Sequence, residues 1–280
     1  MSWILSVIFD ATIQQKYNLI RTQMLDQLIT ITKEAGELFK EGFYANKEIQ
    51  YKSSIDLVTQ YDLQIEEFLK KRLAQDFSDF TLIGEETSQT ITHPNKAIYI
   101  DPIDGTTNFI HGLPMCCISI GVWVDQEPYI GVVYNPIMNE LFTAQKAKGS
   151  FLNGKPLKVS QTDTLQESLI ATGFPYTKID KGRDYQWVLE CMEAVLPLSR
   201  DIRRFGSAAL DLCLLAKGSF DLYYEVNLKP WDVAAGILIL LEAGGKVSTD
   251  TGHTYTLEDR VIVASNSEVH QDFIDILPNL

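Results

Sequence analysis

At 280 residues, 45% hydrophobic and 22% charged, the chain has an ordinary soluble composition and enough length for one large or two moderate domains. A formal net charge of −13 and a pI near 4.7 oppose direct binding to nucleic acid or to anionic membranes. Cys116, Cys117, Cys191 and Cys213 show neither zinc-ligand spacing nor a disulfide framework, so free buried thiols of a reducing compartment are expected.

In chain order, residues 1–9 are apolar but lack a basic leader, lack a small-residue cleavage site and are too short to span a bilayer. A cytoplasmic protein is expected, with this segment a helix extension, a weak surface anchor or an overlong translation start. Leu19, Ile20, Met24, Leu25, Leu28, Ile31, Ala35, Leu38 and Phe39 recur at helical spacing, and residues 65–73 form a second amphipathic pattern. The run Phe80-Thr81-Leu82-Ile83-Gly84 ends in Glu85-Glu86, and Ala97-Ile98-Tyr99-Ile100 reads as a strand leading into a proline-restricted turn. Residues 116–124, 129–134 and 141–144 predict an antiparallel meander, and Asn153-Gly154 a tight hairpin.

Further on, residues 168–172 and 220–225 read as strands, and residues 185–196 and 207–215 as helices. A buried helix spans 232–243, with Asp232 as its opening residue, and short strands follow near 246–248 and 261–264. Strands and helices interleave without regular repetition, which predicts an α/β (α+β) sandwich with mixed and antiparallel sheets.

The stretch Asp101-Pro102-Ile103-Asp104-Gly105-Thr106-Thr107-Asn108-Phe109 carries the chemistry. Two carboxylates three residues apart, with the Ile103 carbonyl between them, suit a hard divalent cation such as magnesium. Amides of Gly105 and Thr106 can face a phosphate if a helical turn opens at Thr106. Asp-Pro and Asp-Gly also punctuate ordinary loops. Glu85-Glu86 also fit a solvated turn, Asp232 a plain N-cap, and Lys52 with Asp62 a solvated helix start. His111, the one histidine near the motif, is a surface or supporting residue.

Gly84-Glu85-Glu86, the 101–109 segment and Trp231-Asp232-Val233-Ala234-Ala235-Gly236, in this order, resemble the inositol monophosphatase superfamily of magnesium-dependent, lithium-sensitive phosphatases, over about residues 52–263. The resemblance implies stacked α-β-α-β-α layers in a single catalytic domain over 1–280. About residues 10–160 would carry most metal ligands, and about 161–280 the substrate contacts and Asp232. It implies two to three Mg2+ ions, one held by Glu85, Asp101 and the Ile103 carbonyl, another by Asp101, Asp104 and Asp232. Thr106 and Glu85 would position the nucleophilic water, Asp62 would support Thr106, and Lys52 would lie on a mobile loop near the metals.

The same resemblance places Ser207, Ala208 and Glu225 against an inositol ring, beside Asp104, Gly105, Thr106 and Asp232. It implies hydrolysis of myo-inositol 1-phosphate, a phosphorylated polyol, by a homodimer. Alternatives are the same chemistry on fructose 1,6-bisphosphate, histidinol phosphate or a phosphoadenosine nucleotide, and a non-catalytic role in the transcription machinery. A bisphosphate would need extra cations, for which Arg183, Arg200, Arg203 and Arg204 are candidates.

Overall fold

The computed structural model describes residues 2–47, 49–51, 57–88, 90–278 and 280, with side chains from residue 23 onward except those of residues 50 and 51. Lys52 lies outside the described residues. Helix α1 (Ser2–Tyr44) is followed by the antiparallel pair β1 (Ile49–Tyr51) and β2 (Leu57–Thr59), then by α2 (Gln60–Asp76). The first helix is longer than its apolar spacing predicts and takes in the apolar residues after Met1. No described helix is long and apolar enough to cross a membrane.

A seven-stranded sheet follows: β3 (Thr81–Gly84), β4 (Lys96–Asp104), then, after the short α3 (Thr106–Ile110), β5 (Cys117–Val124), β6 (Glu127–Asn135), β7 (Glu140–Gln145), β8 (Ser150–Leu152) and β9 (Lys155–Pro156), in that spatial order. Only β3 and β4 pair in parallel; the others form the predicted meander and end in the Asn153-Gly154 hairpin, where both residues have positive φ. The second half supplies β10 (Leu169–Thr172), α4 (Arg183–Val195), β11 (Asp201–Arg203), α5 (Ala208–Ala216), β12 (Leu222–Val226), α6 (Pro230–Glu242), β13 (Lys246–Ser248), β14 (Val261–Ser265) and α7 (His270–Ile274). Its strands make a mixed sheet ordered β11-β10-β12-β14-β13.

Three apolar clusters give the layering. Leu28, Ile31, Phe39, Ile65 and Leu69 of α1 and α2 pack on Ile98, Ile118 and Val132 of the large sheet. The other face of that sheet meets α5 and α6 through Leu212, Ala234 and Ala235, and these helices in turn back onto Tyr223 and Ile262 of the small sheet. Trp187 and Val188 of α4 and Phe273 of α7 cover its outer face. The result is the expected α-β-α-β-α stack.

Two departures from the sequence reading bear on the site. Residues 101–104 are not a turn but the bulged end of β4: Asp101 pairs with Ser119 and Asp104 with Cys117, with a register shift between them. Pro102, which has no N–H to give a ladder, falls in that bulge. Asp232 is the third residue of α6 rather than its opening one, because Pro230 takes the first helical position, where a missing N–H costs nothing. Helix α6 then lies close on the large sheet. A Cβ at Gly121 or Gly131 would collide with Ala234 or Ala235, so these glycines set how near Asp232 comes to β5.

Candidate active site

The ends of β3, β4, β10 and β12 and the starts of α3, α5 and α6 meet at one cleft of about 810 Å³, its open mouth included. Its lining includes Glu85, Asp101, Ile103, Asp104, Gly105, Thr106, Ser207, Ala208, Glu225 and Asp232, residues predicted from distant parts of the sequence. Asp62 stands directly behind, joined through Thr106. His111 is exposed and outside the lining.

Four of the carboxylates, those of Asp62, Asp101, Asp104 and Asp232, are anchored where an element leaves a backbone N–H free. Asp101 Oδ1 accepts from Ile103 N at 3.0 Å across the bulge. Asp104 Oδ2 accepts from Ser207 Oγ at 2.6 Å and from Ala209 N at 2.8 Å, at the start of α5. Asp232 Oδ2 accepts from Lys229 N at 2.7 Å, closing the first turn of α6. Asp62 Oδ2 accepts from the amide and hydroxyl of Thr59 at 2.7 and 2.6 Å, while Oδ1 lies 3.1 Å from Thr106 Oγ1. Thr106 Oγ1 is also 3.0 Å from Ile103 O, so its single proton goes to one of two acceptors. Gly105, at φ +90°, caps α3, and a Cβ there would press on the Met115 and Gly206 carbonyls.

The site is electrostatically strained without a cation. Burial, then the charges of Glu85, Asp104 and Asp232, hold the Asp101 carboxyl well above its usual range. Asp232 is raised by burial and then by Glu85 and Asp104. Burial pushes Asp104 up to about 6 against its hydrogen bonds, and Glu225 to about 7 despite the Tyr223 hydroxyl at 2.7 Å and the Arg204 charge. A divalent cation relieves such repulsion, and four carboxylates with one carbonyl form the all-oxygen donor set that a hard ion prefers. Among the described residues no three acidic, cysteine or histidine side chains are already closed into a metal-holding group. The donors line the cleft, and those of Asp101, Asp104 and Asp232 are each tied to a backbone amide. Cys116, Cys117 and Cys213 are free, buried and pushed up by desolvation, so they are neutral thiols rather than nucleophiles.

Sequence reasoning passed over Glu66. It is fully buried, and its carboxylate accepts from Glu86 N at 2.7 Å and from Thr87 N at 3.1 Å, bonds the hydroxyl of Thr87, and pairs with Lys70 at 3.0 Å. The signal was present: Asp62, Glu66, Leu69 and Leu73 share one helical stripe, so two charges stand on the buried face. Of the four candidate arginines, Arg204 lines the cleft together with Lys178, whereas Arg183 pairs with Glu190 and Arg203 with Asp201.

A profile of the inositol monophosphatase family matches residues 21–279. Inositol monophosphatase 3 of Solanum lycopersicum is 41% identical over 264 residues, covering 91% of this chain and 96% of that protein. The crystal structure of extragenic suppressor protein suhB from Bartonella henselae superposes with a TM-score of 0.85 at 32% identity, over 92% of this chain and 99% of that one. The structure of SaIMPase-II with inositol monophosphate bound superposes with a TM-score of 0.76 at 28% identity, over 91% and 93%. Fold and cleft are those of a metal-dependent phosphoric monoester hydrolase. The chain belongs to the inositol monophosphatase family.

Proposed function

We propose that this protein hydrolyses myo-inositol 1-phosphate to inositol and inorganic phosphate, using two to three Mg2+ ions. The observation that carries the reading is the convergence on one cleft of an all-oxygen donor set with Gly105, Thr106, Ser207 and Glu225. Glu85, Asp101 and the Ile103 carbonyl would hold one ion, and Asp101, Asp104 and Asp232 another. Bound magnesium supplies a water of lowered pKa and offsets phosphate charge. Thr106, with its own proton directed to Asp62, presents an oxygen lone pair that accepts a hydrogen bond from the attacking water. As that water loses its proton to Thr106, the Thr106 proton passes to Asp62. Gly105 and Thr106 amides orient the phosphate, and Glu225 accepts hydrogen bonds from ring hydroxyls beside Ser207 and Ala208.

A monophosphate suits the charge balance at the mouth. Arg204 acts on the buried carboxylates of Glu225 and Asp211, which offset its charge, leaving less for a second phosphate. We further read residues 1–280 as one catalytic unit that works as a cytoplasmic homodimer, with no direct nucleic-acid or membrane contact given its acidity. Phosphate release from myo-inositol 1-phosphate, fructose 1,6-bisphosphate, histidinol phosphate and 3′-phosphoadenosine 5′-phosphate, with and without Mg2+ and then Li+, tests the activity. The inositol ester should rank first, and light scattering should give twice the mass of 31.6 kDa. A higher rank for any other ester overturns the substrate assignment.

A further inference from the structure

We propose that Glu66 is a positioning residue for Glu85, and that α2 thereby sets the spacing between the two groups that orient the attacking water. The inference rests on the reading of Glu85 and Thr106 given above. Helix α2 carries Asp62 and, one turn later, Glu66 on the same buried stripe, about 6 Å apart along the axis. Asp62 grips Thr106, and Glu66 grips the turn that carries Glu85.

That turn is held from two sides. Glu85 N donates to Ile100 O at 3.1 Å, which extends the β3–β4 pairing to the residue before Asp101. On the opposite side the Glu66 carboxylate takes the next two amides, Glu86 N and Thr87 N, together with the Thr87 hydroxyl. Gly84 makes the approach possible, since a Cβ there would collide with the carboxyl carbon and both oxygens of Glu66. A carboxylate that accepts charge-assisted bonds from successive amides fixes both the position and the plane of the peptides. The Glu85 side chain leaves the backbone immediately before those peptides. Lys70, one turn further along α2, pairs with the same carboxylate and offsets the cost of burying it beside an acidic cleft.

The test compares Glu66→Ala, Glu66→Gln and Thr87→Val with wild type, reading kcat, KM, the Mg2+ concentration for half-maximal activity, and Mg2+ binding by calorimetry. Groups that orient metal ligands typically govern about 10- to 100-fold in metal affinity or activity. Glu66→Ala should fall in that range for both metal readouts, with KM for inositol phosphate at saturating Mg2+ changed by less than about threefold. Glu66→Gln, which keeps one acceptor oxygen, should recover part of the loss. Thr87→Val, which removes a single hydroxyl from an exposed residue, should shift in the same direction by a smaller factor and decides the matter if Glu66→Ala does not fold. In a Glu85→Gln background, Glu66→Ala should weaken Mg2+ binding no further, because it acts through Glu85; a merely structural role would add in full. Wild-type metal binding in folded Glu66 variants, alongside a disabled Glu85→Gln, overturns this proposal alone. Wild-type turnover by Glu85→Gln overturns the reading on which it rests.

Discussion

Replacing Asp104 by Asn should stabilise the metal-stripped protein at neutral pH while disabling it. Burial raises the folded-state pKa of Asp104 to about 6 from 3.8. A raised carboxyl pKa means that the folded state binds the proton more tightly than the unfolded chain. The associated stability is fully present below the unfolded value and is lost as pH climbs to about 6. Two units correspond to about 3 kcal/mol lost by pH 7.5 and less than about 1 kcal/mol at pH 4. Asn never ionises and escapes that loss, but it weakens the bonds from Ser207 Oγ and Ala209 N, at about 1 to 2 kcal/mol. The net gain is about 1 to 2 kcal/mol at pH 7.5, or several degrees in Tm for a chain of this size. Thermal unfolding in EDTA should therefore place Asp104→Asn above wild type at pH 7.5, and level with or below it at pH 4. Adding Mg2+ should raise wild type more than the variant, which keeps only the ion proposed for Glu85, Asp101 and the Ile103 carbonyl, with phosphate release down by about 100-fold or more. A variant less stable than wild type in EDTA at pH 7.5, yet equally responsive to Mg2+, would refute the reasoning.

Thr106→Val keeps the shape and removes the hydroxyl shared by Asp62 and Ile103, so kcat should drop by about 100-fold with KM within about threefold; retention of half the turnover would count against a proton-accepting Thr106. Glu225→Gln should raise KM for inositol phosphate by about 10-fold, the worth of a charged hydrogen-bond acceptor, while kcat with a small aryl phosphate stays near wild type. His270 lies between Ser248 Oγ and Ser265 Oγ, each at 2.8 Å, and burial lowers its pKa to about 4. Its stabilising contribution is complete above pH 6.5 and is lost as pH falls toward 4, about 2 kcal/mol by pH 5. Urea unfolding of His270→Asn should accordingly be flatter than wild type between pH 7.5 and 5, and parallel curves would contradict this.

The elements readable in the sequence were those with a local period or a strong turn signal. The meander of β5, β6 and β7, the Asn153-Gly154 hairpin and the apolar stripe of α2 depend on side chains a few residues apart, which a linear reading captures. The 101–109 motif was legible because its chemistry is contiguous. What lay beyond reach was set by pairing across the fold. Asp101 to Asp104 looked like a turn because Pro102 and Gly105 punctuate it, yet β5 supplies Ser119 and Cys117 as strand partners and the proline slips into a bulge. The role of Glu66 depends on amides twenty residues away, and no period marks such a contact. Its sequence trace was a charge on an apolar stripe, a pattern that asks for a buried partner without naming one.

The four aspartates share one construction. Asp62, Asp101, Asp104 and Asp232 each give one oxygen to a backbone amide, at Thr59, Ile103, Ala209 and Lys229. Three of those amides lie at or within the first turns of helices, where the fold leaves donors without intrahelical partners, and the other lies in a bulge where the ladder lapses. An amide bond on one oxygen restricts the rotation of a short Asp side chain and partly offsets the burial of its charge. In Asp62 the other oxygen meets Thr106, while Asp101, Asp104 and Asp232 line the cleft in which the proposed cations would bind. Preorganisation of this kind lowers the ordering needed when an ion arrives and keeps like charges close at the expense of stability. These donors are therefore set by where helices begin and strands bulge, which is why residues 131 apart in sequence, Asp101 and Asp232, line one cleft.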